Sequence, residues 1–133
     1  MMNQETFGEE RNNGKSAEVL RYEKEVALGL WVQVVGQLIE LKGLSGLLQL
    51  EKDVNLTGEQ QILTGVSIRT IGQLLEAISV TKQIYETDIL RLLQEQKIAI
   101  AGDILAAIGS ALEAGGGLQV LNEESSGTTR IVP

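Results

Sequence analysis

Residues 26–43 read VALGLWVQVVGQLIELKG. The stretch carries no charge from residue 26 to residue 39, holds the only tryptophan (Trp31), and sets Gly29, Gly36 and Gly43 seven residues apart. Seven residues are close to two α-helical turns, so these glycines stand on one side of a helix. Two copies follow downstream. Gly65 and Gly72, then Gly102 and Gly109, repeat the spacing of Gly29 and Gly36. A glutamate stands four residues beyond the second glycine each time, at Glu40, Glu76 and Glu113. Self-similarity at about 36 residues marks stacked supersecondary units. The expected fold is all-α: three long helices from a threefold internal repeat, packed along glycine-lined faces as an antiparallel bundle.

The helix limits follow from local signals. Ser16 suits an N-cap and Glu18 suits the first turn, so the first helix is placed at 17–51, with a kink allowed near Gly43 and Gly46. Asp53, Asn55 and Thr57 make residues 52–56 a break, and Thr57 with Gln60 resembles a capping box. The second helix is placed at 58–86. Thr87 or Asp88 caps a third, at 88–114, which the triple glycine 115–117 stops. The domain reading is a disordered N-terminal tail at 1–15, a helical repeat bundle at 16–117 and a polar C-terminal tail at 118–133.

Placed on a wheel from each repeat glycine, the aliphatic residues three, six and two positions on form one broad arc with the glycines at its edge. That arc holds Val32, Ile39, Ile68, Leu75, Leu105 and Leu112, and also Trp31, which is read as core. Val34, Leu41 and Leu48 fall opposite and are read as an outer apolar face that a partner covers. Interior glycine costs about 0.8–1 kcal/mol against alanine, so Gly29, Gly36, Gly65, Gly72, Gly102 and Gly109 together cost roughly 5–6 kcal/mol. That rivals the net stability of a small domain. Close helix approach is the expected compensation, and these six are the candidate helix-packing glycines.

Chemistry is sparse. Cysteine and histidine are absent, which removes thiolate nucleophiles, most zinc sites and the commonest general base. The formal charge of −7 argues against nucleic acid and anionic lipid. Glu40, Glu76 and Glu113 are the one repeated polar set; gathered together they would suit a cation or a shared proton, and apart they are solvated helix flanks paired with a basic neighbour such as Lys42. No catalytic, cofactor or metal motif is present. The tetratricopeptide period is close, but its tryptophan, Gly-Tyr and proline signature is missing.

The glycine pairs with their following Leu and Glu resemble the uncharacterised glycine-repeat helical proteins of Bacillus-type bacteria, over about residues 26–116. The resemblance implies a bacterial, all-helical, repetitive protein and brings no activity, cofactor or site.

The expected function is therefore non-enzymatic: self-assembly, or interaction with another helical protein, with no cofactor and no nucleic acid. The polar N-terminus has no secretory pattern, and the 14-residue uncharged run is shorter than the roughly 20 residues of a spanning helix, so a cytoplasmic location is expected. The alternative is a membrane-active protein that opens its bundle and inserts glycine-lined helices.

Overall fold

The structure, a computed structural model, describes residues 15–51 and 57–125. It is an all-α bundle of three helices: α1 (Ala17–Leu50), α2 (Thr57–Tyr85) and α3 (Ile89–Ser125). The expectations for residues 1–14, 52–56 and 126–133 lie outside the described residues.

Local chemistry sets the described helix ends. Ser16 Oγ accepts a hydrogen bond from the Val19 backbone N–H at 3.1 Å, and Glu18 stands in the first turn of α1. At the other end the Glu51 N–H returns to the Leu48 carbonyl at 3.2 Å. α1 runs through Gly43 and Gly46 without a break. The turn between α2 and α3 is short, and Asp88 Oδ1 accepts from the Leu90 N–H at 3.0 Å, capping α3. α2 begins at Thr57 itself, so its cap position falls on residue 56, outside the described residues.

α2 and α3 are antiparallel and meet along their glycines. Residue numbers fall by seven on one helix as they rise by seven on the other: Gly58 faces Gly116, Gly65 faces Gly109 and Gly72 faces Gly102. A Cβ placed on Gly65 would sit 2.5 Å from the Gly109 carbonyl oxygen and 2.5 Å from the Glu113 nitrogen. One on Gly72 would sit 2.5 Å from the Gly102 oxygen and 2.6 Å from the Ala106 nitrogen. The two backbones touch, so no side chain larger than hydrogen fits between them.

This contact explains why α3 does not stop at its triple glycine. The expected end at residue 114 is corrected: α3 continues eleven residues further, to Ser125. A Cβ on Gly116 would meet the Gly58 oxygen at 2.6 Å and the Ile62 nitrogen at 2.8 Å, so Gly116 belongs to the helix contact. Packing outweighs low helix propensity here. The added turns deliver Val120, 6% exposed, to a core cluster with Ile62 and Val66. Residues 118–125 are thus helix, where a polar tail was expected.

α1 lies antiparallel to α2 and turns an unexpected side inward. Ala27, Val34 and Gln37 are buried, and Leu30, Leu41, Leu44 and Leu48 are half-buried. Positions 27, 30, 34, 37, 41, 44 and 48 alternate steps of three and four, the spacing of a helix-packing seam. Leu41 and Leu44 cover the Ile62–Val66–Val120 cluster. The reading of Val34, Leu41 and Leu48 as an outer face is therefore corrected. The broad arc expected to be core is the outer surface of α1, where Val32 is 62% and Ile39 67% exposed. The physical reason lies in the partners: the glycines of α2 and α3 are consumed by each other, and aliphatic side chains of α1 pack against the flank of that pair.

Candidate functional site

Among the described residues, Gly29 and Gly36 do not pack against another helix. An added Cβ would meet nothing within 4 Å at either, nor at Gly43 or Gly46. Gly65, Gly72, Gly102 and Gly109, by contrast, stand in backbone contact. The same residue spacing thus occurs occupied on α2 and α3 and uncovered on α1. Around Gly29 and Gly36, Leu28, Val32, Val35 and Ile39 are each more than half exposed. This face, opposite the inward seam, is the most prominent candidate site. α3 adds a second uncovered row, Ile100, Ile104 and Ile108. Its inward seam is narrow, running from Ala99 through Gly102, Ala106, Gly109 and Gly116 to Val120.

Trp31 is not core. It sits 36% exposed at the seam between α1 and α2, where its indole N–H donates to Thr81 Oγ1 at 2.9 Å. Thr81 in turn donates to the Ala77 carbonyl at 2.7 Å, fixing the acceptor. Tyr22 and Tyr85 are exposed near helix ends, and Arg21 stacks over the Tyr22 ring at 4.7 Å.

The three repeated glutamates do not converge. Arg69 of α2 reaches Glu40 of α1, with its Nη2 at 3.1 Å from Oε1, and Glu113 of α3, with Nη1 at 3.3 Å from Oε2. One guanidinium fork therefore ties all three helices. The basic neighbour of Glu40 and Glu113 is Arg69, rather than Lys42, the example the sequence offered. Glu76 lies apart, beside Asp103. Burial raises its pKa from 4.5 to about 7, and the hydrogen bond and negative charge of Asp103 push in the same direction. The Glu76 carboxyl therefore holds its proton more tightly at the α2–α3 contact, next to Gly102, whose Cβ position is 3.0 Å from the Glu76 nitrogen. Among the described residues, no three acidic, histidine or cysteine side chains gather as a metal site.

A groove of about 150 Å³ opens between α1 and α2, lined by Glu23, Val26, Val80, Gln83 and Ile84. Pockets for small metabolites usually enclose about 300–1,000 Å³. Lys15 crosses near its end, its ammonium 2.6 Å from Glu23 Oε2 and 3.0 Å from the Ile84 carbonyl. The polar residues of its lining are Glu23, paired with Lys15, and Gln83.

No protein-family model matches the chain, and no curated protein or solved structure is significantly similar to it.

Proposed function

We propose that this protein is a non-enzymatic, self-associating helical protein whose association surface is the outward face of α1. The observation that carries the reading is the uncovered row of Leu28, Val32, Val35 and Ile39 beside glycines with open space above them. Contiguous exposed apolar surface of this extent marks an interaction site. Magnitude supports it. Fully burying an aliphatic side chain contributes about 1.5–3 kcal/mol, so covering the exposed three-fifths of these four on two copies contributes roughly 7–14 kcal/mol at most. Association costs about 4–15 kcal/mol, which leaves room for binding in the micromolar range, near 8 kcal/mol. The interior glycines of α1 point the same way, since each costs helix stability that no contact among the described residues recovers.

Light scattering after size exclusion tests this. A mass of at least twice the 14.4 kDa chain is expected at micromolar concentration, with reversion toward the chain mass in Val32→Lys. A mass near 14.4 kDa at every concentration defeats the proposal.

A membrane-inserting reading stands second, favoured by one observation: α1 and α3 are each long and apolar enough to cross a bilayer, with 17% and 11% of the relevant windows buried. Core helices of soluble proteins share that length and composition. Against it stand the net charge of −7 and the acidic side chains midway along α1, α2 and α3. Co-sedimentation of the monomeric chain with neutral lipid vesicles would make it the better reading.

A further inference from the structure

We infer that the outward face of α1 is covered by α1 of a second copy, lying antiparallel and centred on Gly36. The inference rests on the self-association reading and adds the partner surface, its direction and its register. Three features of the chain select this arrangement over any other occupant.

The first is symmetry of the face. Gly29 and Gly43 stand seven residues either side of Gly36, so a twofold axis beside Gly36 sets each glycine against a glycine of the other copy. The second is the pairing already present between α2 and α3. There, three glycines at the same spacing oppose three others antiparallel, with backbones in contact and large aliphatic side chains on the flank, Leu75 Cβ lying 3.3 Å from the Cβ position of Gly102. α1 carries the same glycine spacing, with Ile39 three residues beyond Gly36 as Leu75 is beyond Gly72.

The third is charge. The face is uncharged from residue 26 to residue 39, so a charged partner surface would be desolvated against it without compensation. Glu40, next along the chain, is turned to Arg69 of α2, and the other exposed charges at the ends of the face are Glu25 and Lys42. An antiparallel pair brings Glu25 of each copy toward Lys42 of the other, whereas a parallel pair sets like beside like. Lys24 stands one helical step farther round, at the edge of the face, and is exposed.

Cysteine cross-linking tests direction and register, because the chain has no cysteine of its own. Leu28→Cys and Gly46→Cys each alter an outward position, 64% exposed at Leu28 and with open space at Gly46. In the inferred pair, residue 28 of one copy and residue 46 of the other lie within about 3 Å along the axis, while identical residues stand about 24–30 Å apart. A disulfide needs α-carbons within about 7 Å. Mild oxidation of the two variants mixed should give a cross-linked dimer containing one of each, and either variant alone should give none. Cross-linking of each variant with itself, or no cross-link in the mixture while the uncross-linked protein retains a dimer mass, overturns the inference and leaves self-association standing. A chain mass at all concentrations overturns both.

Discussion

Gly65 and Gly109 occupy each other's side-chain space. A methyl on Gly65 falls 2.5 Å from the Gly109 carbonyl oxygen, and a methyl on Gly109 falls 2.5 Å from the Gly65 carbonyl oxygen. The relation is reciprocal, and the obstacles are backbone atoms that cannot rotate away. Gly72 and Gly102 repeat it one step along. The cost of glycine inside α2 and α3 is thereby offset by close backbone contact and by dispersion along the whole crossing.

Alanine at Gly65 or Gly72 should destabilise the fold by about 1–3 kcal/mol, because the methyl forces two helices apart despite alanine's better helix propensity. From the sequence, Gly36→Ala is expected to behave alike. The structure separates them: with nothing within 4 Å of Gly36, the alanine should stabilise the dilute chain by up to about 1 kcal/mol. Urea denaturation at concentrations below association measures both signs. Equal losses at Gly36 and Gly72 would contradict the described packing.

The three helices, two of their caps and the special standing of the glycines are legible in the sequence. The rotation of α1 was hidden by the same glycines. Taking Gly29 and Gly36 as the inner edge sets the phase of the helix, and that phase sends Val34 and Leu41 outward. The alternating steps from Ala27 through Leu30, Val34, Gln37 and Leu41 to Leu44 were equally readable as a packing seam. Two apolar faces on one helix cannot be ranked from spacing alone, because which one is buried depends on what α2 and α3 have left to offer. The end of α3 failed for a related reason: three glycines in a row stop an isolated helix, and only the position of Gly58 opposite Gly116 shows why this one continues. Arg69 carried a signal, standing seven residues before Glu76 on the same side of its helix, but its reach to Glu40 and Glu113 needed the bundle.

Removing the Arg69 fork should loosen α1 first. Arg69→Met keeps much of the apolar stem and deletes both ion pairs, each worth about 0.2–1 kcal/mol at partly exposed positions. The expected loss is about 1 kcal/mol, smaller in high salt. Hydrogen exchange should show reduced protection in α1 before the α2–α3 pair, whose glycine contact survives the change. Uniform loss across all three helices would show that Arg69 supports the bundle in some other way.

Val34 and Val32 are two residues apart and should respond oppositely. Val34 is 4% exposed on the inward seam, so Val34→Ala should cost about 1–3 kcal/mol through lost burial and the cavity left behind. Val32 is 62% exposed, and Val32→Ala should stay within about 0.5 kcal/mol in the dilute chain. Chemical denaturation of the two variants distinguishes the observed rotation of α1 from the reverse one, in which Val32 would carry the larger loss.

Glu76 should make stability fall as pH rises through neutrality. Its carboxyl, held at about 7 against 4.5 in the unfolded chain by burial and by Asp103, binds its proton more tightly in the folded state. Folding is therefore favoured where the group is protonated. The contribution is fully present below about pH 4.5, declines as pH climbs, and is gone once pH passes the folded value near 7. The difference between the parent and Glu76→Gln isolates the contribution of this one carboxyl. Glutamine can donate to Asp103 without carrying a charge, so the variant should be relatively more stable at pH 8 than at pH 5, with the change centred between those values. Urea midpoints measured across this range give the difference curve directly. A flat curve would mean that the Glu76 carboxyl is not held above its ordinary value in the folded protein.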